Sequence, residues 1–179
     1  MKGQTMNVSR RTTILGGAAL AAMIPLGAKA QLPPVIQSGG GIAGGGSIAV
    51  QGGGTANFSV FGSRFEIEGQ DQPVFFGSLS LVDSNDQQIS SVEITNYAPV
   101  EGEENAREMT GFATLNGEGR YPFSLKLVDA GTSESGDTVH LTLQSESSDA
   151  TPAADAAAYA IDGTLETGDL QLLTFGFEG

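Results

Sequence analysis

Carboxylates are the only abundant chemistry in this sequence: 21 Asp and Glu stand against 8 Lys and Arg, a single His and no Cys. They crowd most closely in Asp129-Ala-Gly-Thr-Ser-Glu134-Ser-Gly-Asp137, where three acids and several carbonyls share one tight connection. A hard cation such as calcium takes about six to eight oxygen ligands, so Asp129, Glu134 and Asp137 are the candidate metal ligands. The competing reading is a solvated turn in an acidic protein. Asp83-Ser-Asn85 opens like an EF-hand loop, but Gly is missing at its sixth position and Ile94 stands where the bidentate Glu belongs. Glu101, Glu103 and Glu104 could serve a glycosidase only if another carboxylate faced them across a cleft.

Nucleophilic chemistry has less support. His140 alternates with Val139, Leu141 and Leu143, which places it on the solvent face of its strand rather than in a site. No serine lies in a Gly-x-Ser-x-Gly elbow. One His without Cys excludes the common closed zinc sites, disulfides and a thiol nucleophile. Gly39, Gly41 and Gly44 fit a Gly-x-Gly-x-x-Gly spacing, but no strand precedes them and no helix follows, so the match is compositional. The sequence therefore assigns no catalytic or cofactor-binding residue, and calcium is the one cofactor it admits.

The elements that would position these groups read as strands. In Tyr121-Pro-Phe-Ser-Leu-Lys-Leu127, Tyr121, Phe123, Leu125 and Leu127 share one face and Ser124 and Lys126 the other, the pattern of a half-buried antiparallel strand. Asn116-Gly117 before it is a strong hairpin signal, because both residues tolerate positive φ. Val139, Leu141 and Leu143 alternate in the strand that follows. Upstream, Thr55–Ile67 reads as a strand with a bulge at Gly62, where Phe65 and Ile67 resume the apolar phase. Val74–Val82 carries Phe75, Leu79 and Leu81 on one face; Ile89–Tyr97 carries Val92 and Ile94 inward and Tyr97 opposite them. Phe58, Phe75 and Phe123 read as core.

Ala98–Asn105 reads as an acidic loop, and Gln144–Ala156 as a low-complexity insert with a helical turn after Thr151-Pro152. A closing hairpin is expected from Tyr159–Leu165 and Leu170–Phe177, turning at Thr167-Gly168-Asp169. Short strands at this regular spacing, with almost no helix, predict an all-β antiparallel sandwich or barrel of eight to nine strands. No period of about 20 to 50 residues points to a solenoid or propeller.

Three parts are expected: residues 1–30 as an export signal, 31–54 as a Gly-rich irregular lead-in with a short edge strand at Ile48–Val50, and 55–179 as the all-β domain. Ser9-Arg10-Arg11-Thr12-Thr13-Ile14-Leu15 resembles a twin-arginine motif, with Thr13 and Leu15 where Phe and Lys are usual. A short mild apolar run and Ala28-Lys29-Ala30 follow, so cleavage near Gln31 is expected. The run is too short to span a bilayer. Export to the periplasm, cell surface or medium is therefore expected, and a twin-arginine substrate crosses already folded.

Beyond residue 30, four basic residues face all 21 acids, a formal charge of −17. Such a polyanion repels nucleic acid and anionic lipid, so neither is an expected partner. An unidentified ligand or protein, or a second copy pairing through sheet edges, remains open.

Gly44-Gly-Gly-Ser-Ile48, Gly54-Thr-Ala-Asn-Phe58, Gly111-Phe-Ala-Thr-Leu-Asn-Gly-Glu-Gly-Arg-Tyr121, Phe123-Ser-Leu-Lys-Leu-Val-Asp-Ala-Gly131 and Asp137-Thr-Val-His-Leu141 occur in this order. The arrangement resembles the post-COAP-1 domain of secreted bacterial proteins over roughly Gly44 to Leu143, although Ser47 stands where that family carries Trp. The resemblance implies an all-β extracellular module and supplies no catalytic residues. The expected function is thus an exported, non-catalytic structural or binding module. The alternatives are a carbohydrate hydrolase using paired carboxylates and a calcium-dependent binding domain.

Overall fold

The computed structural model describes residues 36–50, 53–131, 136–145 and 157–176; the expected export signal lies outside them, as does the helical turn expected after Thr151-Pro152. The chain forms β1 (Ile36–Val50), β2 (Thr55–Ile67), β3 (Val74–Asp83), β4 (Gln88–Val100), β5 (Glu103–Leu115), β6 (Glu118–Val128), β7 (Thr138–Gln144) and β8 (Ala157–Gly176). Each strand pairs antiparallel with its chain neighbours, and β8 returns to β1, so the sheet closes as an up-and-down barrel. The all-β expectation holds, in its barrel form.

Period-two alternation decides what faces inward. Phe123, Leu125 and Leu127 of β6 are buried together with Val139, Leu141 and Leu143 of β7, while Ser124, Lys126 and His140 point out. Ile42, Ile48, Phe58, Leu79, Leu81, Ile89 and Met109 complete the packed centre. An eight-stranded barrel has an interior about wide enough for side chains to fill, and here apolar side chains fill it. Apolar-in and polar-out is the reverse of a lipid-facing barrel. Among the described residues no helix is long and apolar enough to cross a membrane.

The hairpin at Asn116-Gly117 forms as expected, with φ of 55° and 78° at its two central residues. Four expectations are corrected. The Gly-rich segment is no irregular lead-in: Ile36–Val50 is one strand, paired with β2 on one side and β8 on the other. Thr167-Gly168-Asp169 is no hairpin turn: it runs inside the 20-residue β8, paired with Gly45–Ser47 of β1, and the register shifts by one residue just before it, at Glu166. One strand gained and one turn lost leave the count at eight. The Ala98–Asn105 loop shrinks to a turn at Glu101–Gly102. Gly62 makes no bulge, since the β1–β2 and β2–β3 registers run through it unbroken.

β4 departs furthest from simple alternation. Its register with β5 slips between Ser91 and Glu93 and again between Ile94 and Asn96. Each bulge reverses the phase of the residues beyond it. Val92, expected inward, is 57% exposed, and Tyr97, expected on the opposite face, is buried at 3%. Closure also gives every strand two neighbours, so the free edges expected of an open sheet are largely gone. The exceptions are the stretch of β8 beyond Thr164, which β7 does not reach, and the β3–β4 seam, where pairing is confined to Ser80–Val82 and the Ser91 hydroxyl accepts the Leu79 N–H at 2.8 Å.

Glycine makes the closing seam possible. A methyl group on Gly44 would strike the Asp169 carbonyl of β8, and one on Gly168 the Gly45 carbonyl. On Gly45 it would lie 2.6 Å from the Phe58 carbonyl oxygen of β2. Gly40, in the same strand, has room: its nearest neighbour would be the Leu173 carbonyl oxygen at 3.6 Å. Urea unfolding should therefore separate two identical changes. Gly44→Ala is expected to cost at least about 2 kcal/mol, and Gly40→Ala no more than about 0.5 kcal/mol. Equal costs would show that β1 does not close the barrel.

Candidate functional site

The acidic connection between β6 and β7 lies against β8. There β7 pairs with β8 only up to Thr164, so the next stretch of β8 has β1 on one side and no strand on the other. Backbone N–H groups facing that empty side need acceptors. Asp137 and Asp129 supply them. The Asp137 carboxylate accepts the N–H of Ala130 and of Leu170, both at 2.8 Å, and its carbonyl accepts the Leu165 N–H at 2.9 Å. Asp129 accepts the Gly131 N–H at 2.8 Å and the Leu172 N–H at 3.1 Å. Each oxygen of both carboxylates thus holds a main-chain donor, and Asp137 is only 2% exposed. The two acids act as a missing piece of strand.

An open depression of about 730 Å³ lies beside this staple, lined by Asp129, Gly131 and the Glu166–Leu172 stretch of β8. Glu166 and Asp169 join Asp129 on its wall. Glu134, the third expected ligand, lies outside the described residues. Among the described residues no three His, Asp or Glu side chains come together in a group able to hold a metal ion. The geometry brings Asp129 and Asp137 together, as the sequence suggested, and engages both in main-chain hydrogen bonds.

The other candidates are dispersed over the outer surface. His140 is exposed, 3.4 Å from the Asp162 carboxylate of the adjacent strand. Glu101, Glu103 and Glu104 lie exposed around the β4–β5 turn, and Glu103 pairs with Lys126 at 2.7 Å. Arg120 pairs with Glu93 and lies 3.7 Å above the Phe112 ring. At one barrel mouth Arg64 pairs with Glu66 at 3.1 Å; at the other the Tyr159 hydroxyl donates to Asp83 at 3.0 Å.

Two features escaped the sequence. The buried Tyr97 hydroxyl makes no hydrogen bond of good geometry among the described residues. Burial pushes its pKa up to about 12, against the weaker opposing pull of the Arg107 charge. The second is an aromatic cluster on the outside of the barrel. Phe65 packs edge-on to Phe76 at 5.9 Å and against Phe175 at 5.3 Å, and fully buried Ser63 donates to the Phe76 carbonyl at 3.2 Å. Its one sequence signal was the apolar phase change after Gly62, which marks this outer cluster rather than a bulge.

Comparison with protein-family models, curated proteins and solved structures returns no match to the chain.

The staple predicts that Asp137→Asn, which turns an amide NH2 towards a main-chain N–H, costs about 3 kcal/mol. Thermal melts should show the same loss in calcium and in chelator; a wild-type melting temperature that falls on chelation would restore the metal loop. Tyr97 predicts an alkaline limit. The unfolded tyrosine ionises near pH 10 and the folded one near 12, so the unfolded chain loses its proton first. Stability should fall between those values by up to about 1.4 kcal/mol per pH unit for this group. Tyr97→Phe should flatten that fall and leave stability at pH 7 unchanged or slightly raised, as read by denaturant unfolding at each pH.

Proposed function

We propose that this chain is an exported, non-catalytic structural or binding module of the periplasm, cell surface or extracellular space. The observation that carries the reading is the division of labour in the barrel. Apolar side chains fill the centre, and the best-placed carboxylates hold main-chain N–H groups. A barrel filled in this way acts through its outer surface. The twin-arginine-type leader and the order of post-COAP-1-like segments support the address and the module class.

Cell fractionation tests the address. Protein beginning near Gln31 is expected outside the cytoplasm, and replacing Arg10 and Arg11 together by Lys should leave the precursor inside. Wild-type protein retained in the cytoplasm would sink the export reading. Release of reducing ends from a polysaccharide by the folded protein would sink the non-catalytic one.

A further inference from the structure

We infer that the outer face of β1–β3 is a self-association surface whose partner is a second copy of this chain. Charge points to it first. β1 contains no charged residue, and the charged residues of β2 and β3 are Arg64, Glu66 and Asp83. All three fall on the inward phase and sit at the barrel mouths, where Ser38 and Arg64 bind Glu66 and Tyr159 binds Asp83. Three adjacent strands therefore present an uncharged outer face in a chain of net charge −13. Glu93, Glu108, Lys126, Asp162 and Glu166 mark the outer faces of β4, β5, β6 and β8.

Exposed apolar groups gather on the same face. Phe76 is 55% exposed, Val82 38% and Phe61 37%. Phe76 is the tip of the packed Phe65–Phe76–Phe175 cluster, so its ring is already ordered before any partner arrives. A preordered aromatic loses little freedom on binding, which is the character of an interface anchor.

The face is also complementary to itself. Next to Phe61, β1 offers Ala43 opposite it and Gly45 opposite Ser59 in the register; Gly41, further along, is already covered by the Phe175 ring. A ridge of rings thus borders a short trough at Ala43 and Gly45, where no side chain of β1 is larger than methyl. A two-fold axis sets the ridge of each copy into the trough of the other. Facing sheets pack about 10 Å apart, close to the screening length of about 8 Å at physiological salt, so carboxylates on either face would be felt. This face carries none, whereas the outer faces of β4, β5 and β8 would bring carboxylates together. Asp169, opposite Gly45 on β8, borders it as a polar rim.

The inference extends the binding-module reading and is tested apart from it, by sedimentation equilibrium from about 1 μM to about 500 μM. A reversible dimer is expected, tightening as NaCl screens the net charge. Phe76→Glu should weaken it at least about 30-fold. His140→Glu, at an equally exposed site on β7 across the barrel, should change it less than about 2-fold. Unchanged melting curves would show that both variants fold. A wild-type monomer throughout, a dimer indifferent to Phe76→Glu, or equal weakening by both variants would overturn the surface. None of those results would touch the export and turnover tests, which decide the module reading separately.

Discussion

Closure of the sheet at β1 is the constraint on which everything else depends. For β8 to meet β1 and β1 to meet β2, three backbones must run side by side with almost no lateral room. The Gly44–Gly46 run against Asp169 and Gly168 on one flank and Phe58 on the other shows how little room is left. Glycine weakens an isolated strand, through its conformational entropy and its lack of a side chain to pack. Here strand propensity yields to steric need: a side chain at Gly44, Gly45, Gly46 or Gly168 would hold the seam open. Once the seam is shut, each inward alternation from β2 to β8 acquires a common centre, and the outer surface becomes the only large area left for partners.

The acidic composition takes a different meaning in this frame. Carboxylates beside the second half of β8 complete a ladder that β7 is too short to finish, so Asp129 and Asp137 serve the backbone. Others pair outside with the few cations available: Glu93 with Arg120, Glu103 with Lys126, Glu66 with Arg64. All three pairs are exposed, and exposed pairs contribute roughly 0–1 kcal/mol each. Stability therefore comes from the apolar centre, while the charge governs which faces can meet.

How much could be read in advance follows from how local each signal is. The bounds of β2, the inward set of β6 and β7 and the turn at Asn116-Gly117 depend on neighbours in sequence, and all were legible. β1 was not, because its glycines gain meaning only beside β8, more than a hundred residues away in the chain. β8 was not, because Thr-Gly-Asp fits the middle of a long strand beside the glycines of β1 as well as it fits a turn. Tyr97 and Val92 changed sides because two bulges on β4 reset the phase, and no residue type there announces a bulge. For the acidic loop the sequence found the right residues and could not find their partners, since main-chain donors on a distant strand leave no mark in composition.

The same distinction separates edges from faces as places of assembly. Unpaired edges are the usual hazard of sheet proteins, and sequence alone makes them the natural suspicion. Closing the barrel withdraws nearly all of them and leaves the outward side chains to decide. Along β4, β5, β6 and β8 those side chains include acids and the cations that partner them; along β1–β3 they are uncharged throughout. Solubility alone would not explain an uncharged region of this extent in so acidic a chain, since a few added carboxylates would serve it better. Closure explains the small residues of β1. It does not explain Phe61 and Phe76, which point away from the seam and the centre alike. Their exposure is accounted for by what they would meet outside.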